Sequence, residues 1–566
     1  RNANPWLYTD PDNTNSLPVS VLPVGGFYRE TKYGVSSYDF RATMTYNDVY
    51  KDDHILNVFG GMELNGTDRS RSWFNGVGMQ YDMGMLSNYD YRYFKQGNEE
   101  NTAYYTVSRT KSREVSFFGT ATYSYQGKYT INGTMRYEGS NKLGRSRSAR
   151  WLPTWNVSGA WNMHEESFFE SLRPSLSNFT LKASYSLTAD RGPVNVTNSL
   201  AVIMGYNPWR PLSSVNESGL QITDLENSEL TYEKKHELNI GAEVGFLENR
   251  INLAVDWYKR NNYDLIGLIN TMGVGGQVSK LANVASMESH GVEFTLSTRN
   301  ISTKNFKWTT DFIFSNAKNK VTELKSDANV MSMISGSGFA LEGNPVRSLY
   351  SLNFQGLNKE GLPTFINEKG ELTVTDINFQ ERENKSHLVY EGSTDPTITG
   401  SFGNIFSYKG FKLNVFMTYS FGNVIRLDPV FHNAYSDLDA TPREFKNRWT
   451  VAGDEKITTV PVIADLRQNT MNSYLNKAYN AYNYSTERIA KGDFIRMKEI
   501  SVTYEFPKTM VSKLSLSNLS LKIQGTNLFL LYADKKLNGQ DPEFFNSGGV
   551  AVPVPKQFTL TLRLGI

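Results

Sequence analysis

Hydrophobic and polar residues alternate with a period of two along much of the chain, most clearly in Thr231–Ile266. One parity reads Leu238, Ile240, Ala242, Val244, Phe246; the other reads Glu237, Asn239, Gly241, Glu243, Gly245. After a polar turn at Asn249 and Arg250 the alternation resumes, with Ile251, Leu253, Val255 and Trp257 against Asn252, Ala254, Asp256 and Tyr258. Such a period places each set on its own face of a strand, and a short polar break between two such runs predicts a hairpin. Each strand reads as about ten residues, near the length that crosses a bilayer at a tilt. An apolar face edged by aromatics, backed by a face of carboxylates and amides, is the pattern of a membrane-spanning strand pair.

The same pattern recurs in Tyr38–Tyr46 with His54–Leu64, Phe117–Tyr125 with Tyr129–Tyr137, Trp151–Asn162 with Phe179–Leu187, and Gly291–Arg299 with Phe306–Ser315. It is cleanest in Ile398–Tyr408 and Phe411–Phe421, which turn at Lys409-Gly410, and it returns in Phe494–Phe506, Leu516–Leu531 and Gln557–Ile566. Residues 1–35 are mixed. Gly66–Arg113, Arg191–Thr231, Leu324–Ser393 and Asn423–Ile489 read as long connections, polar or weakly periodic. Short turns at one end, long loops at the other and roughly 16 to 18 strands predict an all-β chain, a transmembrane antiparallel β-barrel. A soluble β-sandwich also alternates, so on pattern alone it stays open.

Composition narrows the chemistry. The 566 residues include no cysteine, which excludes disulfides, thiolate metal sites and a cysteine nucleophile. A net charge of +2 without a Lys/Arg run gives no surface for tracking nucleic acid. Aromatics make up 13% of the chain, a share that girdles at two membrane interfaces would absorb. The mean hydropathy of −0.45 and the absence of long apolar runs exclude helical spans. A barrel tolerates this polarity because only every second strand residue meets lipid. Arg1–Asp10 lacks the apolar core of a secretory signal, so the chain is expected to be part of a longer precursor.

Candidate catalytic groups are sparse. The histidines His54, His164, His236, His290, His387 and His432 are scattered, and His164-Glu165-Glu166 is not a zinc-helix motif. Gly273–Gly276 reads as a flexible loop, and Asp10–Asn15 as a turn without calcium-loop spacing. Glu237, Asn239 and Glu243 fall on the face expected to line a lumen, as a hydrated wall or a contact for an internal plug. One strand cannot set two carboxylates around a substrate as acid catalysis requires. No enzyme, metal site or cofactor is expected. The loop aromatics carry more promise: Trp73, Phe74, Tyr81, Tyr89, Tyr91 and Tyr93 in one long loop, Tyr206 and Trp209 in another. Their ring faces could stack on sugars or peptide side chains, or simply pack the loops and the membrane interface.

Several longer motifs occur in a fixed order: FFGTATYSYQGKYTINGTMRYEGSNKLG (Phe117–Gly144), WLPTWNVSGAWNMHEESFF (Trp151–Phe169), LKASYSLTAD (Leu181–Asp190) and SMESHGVEFTLSTR (Ser286–Arg299). DPTITGSFGNIFSYKGFKLNVFMTYSFGN (Asp395–Asn423), KGDFIRMKEISVTYEFP (Lys491–Pro507), NLFLLY (Asn527–Tyr532) and GQDPEF (Gly539–Phe544) follow. Together they resemble the barrel of a SusC/RagA-type TonB-dependent transporter. The resemblance implies a barrel of about 22 strands around a plug in the Gram-negative outer membrane. It also implies a SusD-like surface lipoprotein as lid, and import of an oligosaccharide or oligopeptide driven through TonB. Glu138 stands where the family's Arg-x-Asp-Gly-Ser has Asp, and Ile566 where barrels commonly carry an aromatic. Nothing resembles the plug, the TonB-contacting segment or the first strands. Residues 1–566 are therefore expected to be the C-terminal majority of the barrel, with a second polypeptide or segment supplying plug and early strands. Unpaired strand edges in lipid would otherwise cost several kcal/mol per group. A passive porin and a soluble glycan-binding β-protein are the alternatives.

Overall fold

The computed structural model describes residues 7–8, 13, 15, 17–20, 22–88, 90–99, 103–143, 146–192, 201–206, 219–273, 278–325, 328–335, 338–429, 443–471, 474–544 and 555–565. One antiparallel sheet dominates, and each of its wall strands pairs with its neighbours in sequence. In chain order these are β1 (Gly26–Tyr50), β2 (His54–Gln80), β3 (Tyr105–Tyr125), β4 (Tyr129–Ser140) and β5 (Trp151–Asn162). Then come β6 (Leu176–Asp190), β7 (Glu233–Phe246), β8 (Ile251–Asn270), β9 (Ser279–Ser302) and β10 (Phe306–Leu324). The last are β11 (Ile398–Tyr408), β12 (Phe411–Phe421), β13 (Phe494–Glu505), β14 (Asn518–Ala533) and β15 (Gln557–Gly565). A two-residue strand, Leu86–Ser87, hangs on β2 and completes a sheet of 16, the lower end of the expected range. Among the described residues β1 and β15 are its edges, each paired on one side.

Tight turns at one end need backbone that bends with the strand twist. Lys409 and Gly410 take φ of 44° and 89°, the type I′ arrangement, and a Cβ on Gly410 would lie 2.7 Å from the Glu505 carbonyl oxygen. The opposite end carries the long connections 191–232, 325–397 and 422–493.

Register sorts the faces. Leu253, Leu296, Phe312, Phe402 and Met417 lie side by side across five strands. One residue along, Ser297 and Asp311 share the other face, where Ser297 Oγ donates to Asp311 Oδ1 at 2.7 Å. Leu413, Val415 and Met417 stay partly exposed rather than sealed in a core. Ring pairs mark both margins of the apolar band. Tyr185, His236 and Tyr263 stack at 5.7 and 5.6 Å on the long-loop side; Tyr129 and Trp161 stack at 6.2 Å on the turn side.

Two expectations change. The hairpin of Thr231–Ile266 has strands of 14 and 20 residues, longer than a crossing requires. Gly66–Arg113 is not one loop: β2 runs 27 residues to Gln80, and β3 begins at Tyr105. Beyond the bilayer both faces meet water, so apolar alternation vanishes while the hydrogen-bond ladder continues. Cross-strand pairs such as Arg113 with Asp68, 2.7 Å apart, replace it there.

The largest buried core lies outside the wall. Segments from 328–388 and 445–484 pack Val330, Met333, Ile334, Leu352, Phe365 and Tyr482 together. The Leu352 amide donates to the Tyr484 carbonyl at 3.0 Å, joining the two long connections into one module. Asn319 Oδ1 of β10 accepts from the Val346 amide at 2.9 Å and ties that module to the polar face.

The ordered sequence motifs prove to be latches between distant segments. Gly139 is roofed by Trp151, whose ring atoms would lie 2.6 Å from an added Cβ. Arg496, in the Lys491–Pro507 block, pairs with Asp541 and with Glu543 Oε2 at 3.0 Å, both in the Gly539–Phe544 block.

Replacing Leu296 by Arg is expected to cost about 2–4 kcal/mol in bilayer refolding, whereas Ser297→Arg on the polar face is nearly neutral. Replacing Arg496 (3% exposed) by Leu strands the Asp541 carboxylate. The expected loss is about 3–5 kcal/mol of local stability, read as faster amide exchange in 534–544.

Candidate functional site

The polar face and the loop module above it are where a solute in the barrel would find chemistry. On β3, β4 and β2 the face carries a network: Arg136 bonds Glu138 at 2.8 Å and Glu63 at 3.3 Å. Arg191, just past β6, pairs with Glu114 and lies 3.6 Å from Glu138. The longer Glu138 side chain thus reaches two guanidinium groups. On β7, Glu237 is held by Lys235 at 2.9 Å and by Arg260 at 3.0 Å, and Glu243 pairs with Lys182 of β6. Asn239 lies opposite Tyr258, over which the Arg260 guanidinium sits at 3.9 Å. Gly291 is needed beneath that ring, since a Cβ there would meet the Tyr258 hydroxyl at 2.5 Å. Glu237 and Glu243 are each neutralised by different cations. Bound to separate partners, they do not form a carboxylate pair converging on one bond.

The aromatic candidates do not converge on one point. Trp73 and Phe74 are consecutive residues of β2, not loop residues, so their rings project to opposite faces. Phe74 packs on Tyr28 at 6.4 Å. Tyr81 begins a short 3₁₀ turn and its hydroxyl donates to the Phe27 carbonyl at 2.8 Å; Tyr91 is 74% exposed at the start of the helix Tyr91–Glu99. Tyr93 is buried with Val77 and stacks edge-on with Phe94, so it serves loop packing. Tyr206 ends a strand, Val202–Tyr206, paired with Gly219–Asp224. Tyr89 and Trp209 lie outside the described residues.

The periodicity gave no sign of a cavity of about 210 Å³ among the long connections, lined by Asp428, Glu444, Arg488, Lys536, Asn538 and Gln540. Arg488 is 3% exposed, pairs with Glu444 and donates to the Asp428 carbonyl at 2.8 Å. Nearby, burial draws the Arg426 guanidinium down to about 10 against the pull of Glu391, and burial pushes the Glu391 and Asp428 carboxyls up. Arg426 remains a cation at neutral pH, 5.6 Å from the Tyr484 ring centroid. These charged groups come from segments some 60 residues apart, which is why no local motif announced them.

His387 is a buried titratable group of the module. Both its ring nitrogens are buried without a hydrogen-bond partner, and burial holds the imidazole below its ordinary 6.5 despite Glu368 and Glu381. The unfolded chain then binds the proton more readily than the folded one. Stability from this group is present above the ordinary value and is lost as pH falls through the lowered one. Amide protection of the 330–334 helix is expected to drop between about pH 7.5 and pH 5, and His387→Leu should flatten that dependence.

Comparison with known proteins fits this architecture. A family model described as "TonB dependent receptor-like, beta-barrel" matches residues 3–428. TonB-dependent receptor P3 of Formosa agariphila is 26% identical over 445 residues, covering 76% of this chain and 42% of that protein. TonB-dependent receptor SusC of Bacteroides thetaiotaomicron is 23% identical over 591 residues, covering 98% and 53%. The structure of the RagAB peptide transporter superposes with a TM-score of 0.74 at 22% identity, over 95% of this chain and 56% of that one. The chain spans about half the length of the relatives it matches. A sequential antiparallel wall with an apolar outer band, together with the family match over most of the chain, gives the conclusion: the protein belongs to the TonB-dependent receptor-like β-barrel family.

Proposed function

We propose that this chain forms most of the barrel of an active importer that carries an oligosaccharide or an oligopeptide across the outer membrane. In this reading a segment outside these residues supplies a plug and the early strands, pairing with the free edges of β1 and β15. TonB acts on that plug, and a SusD-like surface lipoprotein closes over the long loops. The observation carrying the reading is the two-faced wall: an apolar band outside, paired charges such as Glu237 with Arg260 inside, and a folded module at the long-loop end. A family match extending over residues 3–428 supports the energised mechanism over a passive pore, and it sets aside a soluble glycan binder. Relatives at 22–26% identity leave glycan and peptide equally placed.

Ligand contact by Trp73, Phe74, Tyr81, Tyr89, Tyr91, Tyr206 and Trp209 belongs to the same proposal. Trp73, on the face shared with Glu63, is the member of the β2 pair placed to meet a solute; Phe74 is turned away.

The test begins with mass spectrometry of ligand retained by the protein purified from its own membrane. Uptake of that ligand by cells is then followed with and without a protonophore. Uptake that collapses on uncoupling, and falls with Trp73→Ala more than with Phe74→Ala, is the expected result. Uptake that ignores the uncoupler would make the protein a passive pore.

A further inference from the structure

The apolar band does not end the same way around the wall. On four consecutive strands the outward parity changes from apolar residues to lysine or histidine as it leaves the band. On β7 it passes from Ile240 and Leu238 to His236 and Lys234; on β8, from Val255 and Trp257 to Lys259. On β9 it passes from Phe294 and Val292 to His290, and on β10 from Phe312 and Phe314, through Asn316, to Lys318 and Lys320. Register places these side chains together. Lys259 lies directly opposite His290, and His290 directly opposite Lys318. Directly opposed side chains on one face start about 5 Å apart, so two lysines flank one histidine in a single row, with Lys320 one pleat above.

Lysines clustered on one face of a sheet repel unless something neutralises them. The neighbouring charges are already committed: Lys234 is paired with Asp264 at 2.6 Å, and Lys325 with Glu323 at 3.5 Å. Glu288 shares the face and lies opposite Lys320, yet no ion pair forms between them among the described residues. Lys259, His290, Lys318 and Lys320 are all exposed. The polar face shows the opposite practice, for there Arg136, Arg260, Lys182 and Lys522 each have a carboxylate partner. An unneutralised cationic row on the lipid side, beside the Tyr185–His236–Tyr263 ring stack that marks the band's upper margin, is therefore a distinct feature of the wall.

We propose that this row is a binding surface for the phosphate groups of an anionic lipid headgroup in the outer leaflet. The acyl chains of the bound lipid lie along Trp257, Val292 and Phe294 just below. Its phosphates sit among Lys259, His290, Lys318 and Lys320, and the ring stack bounds the site toward β6. Continuity with the apolar band is what selects a lipid over a soluble anion, since the cations border the hydrocarbon layer and not the water-filled loops. The apolar stems of the lysines extend along the band edge and bring the ammonium groups to headgroup level. The surface is independent of what the barrel transports.

The experiment uses the full-length protein extracted from its own membrane and reconstituted in nanodiscs of phosphatidylcholine, with or without added lipid A. Native mass spectrometry counts the retained phosphorylated lipid. Retention of lipid A is expected to fall roughly tenfold in the triple variant Lys259→Gln/Lys318→Gln/Lys320→Gln, and to survive in the corresponding Arg variant, since only the positive charge matters. Lys412→Gln, on the polar parity of β12, serves as control and should change nothing. In the unaltered protein retention should weaken with rising salt but persist against inorganic phosphate, which lacks acyl chains; this arm holds even if the triple variant folds poorly. Equal retention by the triple variant, equal retention of phosphatidylcholine, or displacement by inorganic phosphate at low salt would each overturn the proposal.

Discussion

The hydrocarbon layer offers backbone amides and carbonyls no water, so a wall that crosses it must satisfy each of them with a neighbouring strand. That constraint fixes nearly everything else about this chain. It demands antiparallel neighbours joined in sequence, tight turns such as Lys409-Gly410 where hairpins close, and an outer parity that carries no charge inside the band. It also sends the remaining chemistry elsewhere. Charges collect on the inner parity, where Glu237 and Glu243 find cations, and folding complexity collects in the long connections, where water returns.

This division explains what could be read from the residues. Thr231–Ile266 was legible because lipid enforces one apolar parity, and the register of β7 on β8 follows it residue for residue. The same logic failed past Gly66. There β2 continues to Gln80 with Asp68, Arg69, Ser70 and Arg71, and alternation carries no information when both faces are wet. The loop module was hidden for a different reason. Val330, Phe365 and Tyr482 come from separate short elements, so its core has no period to detect. Trp73 and Phe74 share the first problem, since loop or strand decides whether their rings can meet the same solute, and composition does not decide that.

The ordered motifs, by contrast, gain a physical meaning from the coordinates. Arg136, Glu138, Gly139 and Ser140 belong to a junction where an ion network and the Trp151 roof meet at the end of β4. Arg496 and the Asp541-Pro542-Glu543 turn form a second junction, holding the last long connection against the wall. Each junction joins segments that a hairpin ladder alone would leave free. They are the points where a wall built from local pairing becomes a container with fixed loops above it.

Successive residues of β12 face lipid and water in turn. The chain has no cysteine, so single cysteines at 413, 414, 415, 416, 417 and 418 can each carry a spin label without background. In the intact protein in a bilayer, collision rates with oxygen and with a water-soluble nickel chelate report the two environments. Leu413, Val415 and Met417 positions should be oxygen-accessible and chelate-poor, and Asn414, Phe416 and Thr418 positions the reverse. Uniform accessibility along the strand, or the opposite phase, would contradict the account.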